Sequence, residues 1–200
     1  MNPESPVQRI RRQWFSLGGR TVVVALSVIA PMRAVVAQDA LSASSAVHVR
    51  DTYLTDLDTL HAKIMALANA IPADKYSWRP AAGVRSVSEA LMHIASEWSF
   101  YAPRSIGGKE PADFGVPREK LAALEKITAK SDVIDQLEKA WMYGRAQVAA
   151  ADPSQLTGKY KPWGLTLDQA AFAMTDDLHE HLGQLIAYAR SIGVKPPWNK

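Results

Sequence analysis

Thr166-Leu-Asp-Gln-Ala-Ala-Phe-Ala-Met-Thr-Asp-Asp-Leu-His-Glu-His-Leu-Gly-Gln-Leu-Ile-Ala-Tyr-Ala-Arg-Ser-Ile-Gly193 is a helix with both ends written into it. Thr166 and Gln169 have the spacing of a capping box, in which each side chain satisfies a backbone donor that the first turn leaves orphaned. Gly193 provides the left-handed residue that closes a helix, and Pro196-Pro197 cannot prolong it. At about 100° per residue, Leu167, Ala170, Met174, Leu178, Leu185 and Tyr188 share one face. Asp177 and His181 fall on that same face, one turn apart. A buried carboxylate and imidazole are costly unless paired, hydrogen-bonded or bound to a metal. At i, i+4 they present two ligand atoms to one side of the helix, as metal sites in bundles require. His179 points roughly the opposite way and is expected in solvent.

Three further stretches carry the same helical period. In the first, about 47–70, Tyr53, Leu57, Leu60, Ile64, Leu67 and Ile71 form one stripe, stopped by Pro72. The second opens on the capping box Ser86-Val-Ser-Glu89 and runs through Ala90, Leu91, Ile94, Trp98 and Tyr101 to Pro103. The third starts at Ser131, uses Val133, Ile134, Leu137, Ala140, Trp141, Gly144 and Val148, and ends before Asp152-Pro153. Residues 103–130 are irregular, with Gly107-Gly108, Pro111, Gly115 and Pro117 and a short helical piece near 118–127. Gly158–Gly164 is a turn-rich loop, and no stretch reads as a strand. The expectation is an all-α four-helix bundle with a long crossover between helices 2 and 3, departing from simple up-down order.

The second helix adds His93 and Glu97, again one turn apart and at the edge of its stripe. If it packs beside the fourth helix, His93, Asp177 and His181 converge as two nitrogens and an oxygen. Three protein ligands with an open position are what a catalytic divalent metal uses. Glu97 is then a partner behind the ligands or a proton carrier. The competing reading of the same spacing is a hydrogen-bonded Asp177–His181 pair with no metal. His61 flanks the first stripe as a boundary residue, and His48 carries no signal. Trp98 and Trp141 lie on stripes, whereas Trp78, Trp163 and Trp198 sit in loops that can cap the bundle ends.

The chain has 200 residues, a formal net charge of +3 and no cysteine. The missing thiols exclude a disulfide framework, a thiolate zinc site and a cysteine nucleophile. The basic excess is local. Arg9, Arg11, Arg12, Arg20 and Arg33 precede residue 38 with Glu4 as the single acid, around the uncharged run Thr21–Met32. With small residues at Val35 and Ala37, residues 1–37 read as a secretory signal peptide cleaved after Ala37, the competing reading being an uncleaved anchor. Residues 38–46 read as a mobile tether, and 47–200 as the bundle domain. The chain after the cut is near neutral, which disfavours nucleic-acid binding and leaves no membrane span.

Two segments resemble the DinB-like proteins: Tyr76-Ser-Trp-Arg-Pro-Ala-Ala-Gly-Val-Arg-Ser-Val-Ser-Glu-Ala-Leu-Met-His-Ile-Ala95, and His179-Glu-His-Leu-Gly-Gln-Leu-Ile-Ala-Tyr-Ala-Arg190 followed by Gly193-Val-Lys-Pro-Pro-Trp198. The resemblance implies a four-helix bundle with a divalent metal, often zinc or nickel, on three histidines. One of these lies on the second helix, and two lie at i, i+4 on the fourth. Carried across, the ligands fall on His93, His181 and Asp177, the last a departure from the family's usual histidine. An oxygen ligand hardens the site and widens the choice to zinc, nickel, iron or manganese. Relatives with known activity resemble thiol-dependent transferases and isomerases. The expected function is therefore that of an exported, periplasmic or secreted, metal-dependent enzyme acting on a small molecule through a metal-activated thiol or water. Flat apolar bundle faces make a homodimer an expectation. The alternative is a non-catalytic envelope bundle that binds a small molecule or partner.

Overall fold

A computed structural model describes residues 41–106, 122–152 and 164–198. Residues 1–37, where a signal peptide is expected, the Gly107–Pro117 stretch and most of the Gly158–Gly164 loop lie outside the described residues. Among the described residues there is helix and no strand. The four main helices are α1 (Ala43–Ala70), α2 (Val87–Ser96), α3 (Lys130–Ala149) and α4 (Leu167–Ser191). Both predicted capping boxes are present, at Ser86/Glu89 and Thr166/Gln169. Gly193 closes α4 with φ of 81°. The stripe of α1 is buried as read, from Tyr53 to Leu67.

The start of α1 differs from expectation. Ser42 accepts from the Ser45 amide and begins the helix inside the stretch read as a tether, and Ala46 is fully buried. Serine in a run of small residues signals a linker by composition, yet it is also a strong N-cap. At the other end, the Lys130 ammonium donates to the Asn69 and Ile71 carbonyls at 2.7 Å, and Tyr76 Oη donates to the Ala68 carbonyl. These donors satisfy carbonyls that the last turn of α1 leaves free.

Cross-helix contacts give the topology. Arg50, Asp58 and His61 of α1 meet Ala151, Arg145 and Glu138 in descending order, so α1 and α3 are antiparallel. His93 and Glu97 meet His181, while Arg85 just before α2 meets Tyr188, so α2 and α4 are antiparallel too. Each of α1 and α2 packs on both α3 and α4. Because α2 and α3 both start at the end where α1 finishes, they are parallel neighbours. The chain must therefore return along the bundle between them. The helical stretch Val87–Ser105 is about 28 Å long at 1.5 Å per residue, so no tight hairpin can make that return. This is the physical reason for the long crossover.

The second helix is not uniform. Beyond α2 it passes through a π-helical turn, Glu97–Tyr101, and ends in an α turn, Ala102–Ser105. The Ala102 amide reaches back to the Glu97 carbonyl, one residue further than an α-helix allows. Ser96 and Ser99 hydroxyls donate to the carbonyls of His93 and Ala95 around this turn. Gly144 of α3 faces it: a Cβ there would lie 2.0 Å from the Trp98 carbonyl oxygen. Only glycine lets α3 approach this closely. The π turn, a feature often found at functional sites, thus rests on backbone-to-backbone packing.

Candidate metal centre

The capped start of α2 and the regular stripe of α4 fix the two helices that carry the polar residues. Their antiparallel packing brings His93, Glu97 and His181 together, with one possible ligand atom from each inside 4.8 Å of the others. Glu97 is the centre. Its Oε1 lies 3.1 Å from Nε2 of His93 and 3.1 Å from Nε2 of His181. The two imidazoles stand edge to face at 4.9 Å between centroids. Glu97 is 2% exposed, and its Oε2 has no hydrogen-bond partner.

Charge holds this arrangement together. Burial pushes the Glu97 carboxyl up, but hydrogen bonds from His181 and His93 and their positive charge outweigh it and hold the group at about 2. The hydrogen bond to Glu97 in turn raises His181 above the ordinary imidazole range, against the opposing effect of its own burial. The ring has a second partner, Gln184 Oε1, 3.3 Å from Nδ1. Nδ1 of His93 faces the Glu125 carboxylate at 4.0 Å, and Arg85 holds that carboxylate at 2.9 Å.

Asp177 sits where the sequence placed a ligand but not as buried as read. Its side chain is 49% exposed, and Oδ1 lies 3.9 Å from His181 Nε2, beyond hydrogen-bond reach. Partial burial and the neighbouring Glu97 carboxylate push its carboxyl up to about 6. The reason for the difference is geometric: the α4 stripe is wide, and residue 177 lies on its margin while Leu178 points inward. The buried oxygen comes from Glu97 instead. The hint in the sequence was the i, i+4 spacing of His93 and Glu97; the depth of Glu97 depends on packing against α4. A cleft of about 390 Å³ opens over the cluster, lined by His93, Glu97, Tyr101, Ala173, Met174 and Asp177.

The remaining histidines stay apart from this cluster. His179 is half exposed and pairs with Asp56 of α1 at 3.1 Å. His61 stacks on Trp141 at 3.7 Å and contacts Glu138 at 2.9 Å. His48 and His179 line a larger cleft of about 540 Å³ between α1 and α4. Among the described residues no second group of three donors closes on one point.

Two imidazole nitrogens and one carboxylate oxygen form a donor set that zinc and other borderline divalent ions accept. Zinc bonds of about 2.0–2.2 Å put tetrahedral donors about 3.3 Å apart, close to the two 3.1 Å separations here. The orphaned buried Oε2 of Glu97 is a further polar atom available to a cation. The residues fit such an ion.

An all-α bundle with a His–Glu–His cluster on its second and fourth helices defines the class. The chain belongs to the DinB superfamily, whose family model matches residues 56–185. No curated protein and no solved structure matches it.

Proposed function

We propose that the cleft between α2 and α4 is the active site of an exported metal-dependent enzyme. In this reading His93, Glu97 and His181 hold the ion, and Asp177 stands at the mouth as the proton carrier. The observation that carries it is the buried Glu97 carboxylate, approached by two histidine nitrogens at 3.1 Å. A divalent ion bound there supplies Lewis acidity to a thiol or water drawn into the cleft. The helices pre-position the three donors, and Met174 and Ala173 give the cleft an apolar wall on one side. Asp177, with its carboxyl near 6, is poised to take a proton from the incoming nucleophile and return it to the leaving group. Export follows from the arginine-rich start and short apolar run of residues 1–37.

The test is metal content after reconstitution with zinc, nickel, iron or manganese. Near-stoichiometric metal that is lost in His181→Ala and kept in His179→Ala supports the site. A protein that takes up no metal, and whose melting temperature is indifferent to His93→Ala, refutes it.

A further inference from the structure

A chain of hydrogen bonds runs from the start of α2 to the back of His181, and its direction can be read from one end. The Arg85 carbonyl can only accept, so Tyr188 Oη–H donates to it, at 3.0 Å. That uses the phenol's one proton. Oη then accepts from Gln184 Nε2, at 2.9 Å. With its amino end committed to Tyr188, Gln184 turns its carbonyl end to His181 Nδ1, at 3.3 Å. This last contact is a hydrogen bond only when Nδ1 carries a proton. Nε2 is the nitrogen that faces Glu97: it donates to the carboxylate while the ring is charged, and it is the nitrogen free to hold an ion once it gives up its proton.

The fixed end is well anchored. Arg85 precedes Ser86, the N-cap of α2, and this turn is pinned by Val87 N–H to the Trp78 carbonyl and Ser88 N–H to the Tyr76 carbonyl. The Trp78 ring stands edge-on to Tyr188 at 5.4 Å, fixing the phenol between the loop and the helix. Tyr188 is only 6% exposed, so water is a poor substitute for the carbonyl.

We infer that Tyr188 and Gln184 are positioning residues that keep a proton on Nδ1 of His181 and its Nε2 aimed at Glu97, with the Arg85 backbone carbonyl as the reference point. The purpose of this chain rests on His181 being a metal-holding residue, but its existence does not. Orienting partners behind metal-bound histidines typically matter by 10–100-fold in affinity.

The experiment uses the full chain with ¹⁵N-labelled histidine, with and without zinc. NMR follows the Nδ1–H of His181, and calorimetry follows zinc affinity. Wild type is expected to show an exchange-protected Nδ1–H in both states. Tyr188→Phe frees the Gln184 amide to turn; the protected resonance is lost and zinc binds roughly tenfold more weakly. Adding Gln184→Glu to that variant restores both, because a carboxylate has no donor end to misdirect. Gln184→Met, which leaves Tyr188 and the core intact, is expected to reproduce the loss and covers the case that Tyr188→Phe does not fold. An unchanged Nδ1–H in Tyr188→Phe or Gln184→Met, or failure of Gln184→Glu to restore it, overturns the inference. If the resonance behaves as expected but wild type binds no zinc, the chain stands and the metal reading falls. If zinc binds equally well to wild type and Gln184→Met, the positioning role falls and the metal reading stands.

Discussion

The bundle places a histidine beside a glutamate in two seams, and the two pairs differ in kind. Between α1 and α3, His61 contacts Glu138 at 2.9 Å, and Glu138 keeps 42% of its side chain in solvent. Between α2 and α4, His181 contacts Glu97 at 3.1 Å, and only 3% of the Glu97 side chain is exposed. The shorter contact is the weaker argument for function. His61 is held by stacking on Trp141 and by the edge of Trp98, and its carboxylate partner is already well solvated. Glu97 is almost wholly buried, with two imidazoles on one oxygen and no hydrogen-bond partner on the other. What marks a site is a desolvated carboxylate shared by more than one nitrogen, because that arrangement is unstable without a cation or protons to hold it.

The largest expected effect breaks this contrast directly. Glu97→Gln keeps the shape and removes the charge, and it is expected to weaken zinc binding by about 4 kcal/mol, the scale of breaking a buried charge pair. Glu138→Gln in the other seam is expected to leave zinc binding unchanged and to cost about 0–1 kcal/mol of stability, as exposed pairs do. Parallel calorimetry and urea denaturation on the two variants decide the matter. Equal losses of zinc affinity would remove the distinction between the seams.

Two helical glycines sharpen the comparison at the next level. Gly144 lies against the Trp98 carbonyl, whereas a Cβ on Gly183 of α4 would meet nothing within 4 Å. Gly144→Ala must push α3 away from the π turn and is expected to destabilise by about 3 kcal/mol, the upper end for overpacking. Because Glu97 begins that turn, zinc affinity should fall with it. Gly183→Ala is expected to stabilise by up to about 1 kcal/mol through helix propensity alone. Denaturation midpoints in urea read both signs.

These glycines also show where the sequence was legible and where it was not. The caps, the stripes of α1 and α4 and the stop at Gly193 are local: propensity, period and a positive φ are set by neighbours within one or two turns. The parallel course of α2 and α3 follows from the length and breaker content of the connection between them. The π turn has no such local signature. It depends on how near α3 comes, and that depends on the missing side chain at Gly144, far away in the chain. Glu97 looked like an edge residue because a stripe's margin is buried or exposed according to the helix packed against it. Asp177 is the mirror case, a margin residue left in the open. The histidines of the cluster were legible from spacing, but which carboxylate joined them was a tertiary matter.

The smallest effect tests Asp177 against Glu97. A carboxyl whose folded value lies above its unfolded one binds its proton more tightly in the native state, so ionising it costs stability. For Asp177 that cost is absent below about 3.8, grows as the pH rises towards about 6, and is complete above that. Glu97 runs the other way: its contribution is complete above about 4.5 and is lost only as pH falls through about 2. Removing the Asp177 charge should therefore help the metal-free protein at neutral pH and do nothing in acid. Half exposure screens the effect, and Asp177→Asn is expected to gain about 1 kcal/mol or less above pH 6. Melting curves of the metal-free protein across this range check it. A gain that persists below pH 3.8 would mean that the carboxyl acts through shape rather than charge. A loss at neutral pH would mean that Asp177 stabilises His181 after all, and would return it to the place among the ligands that its spacing first suggested.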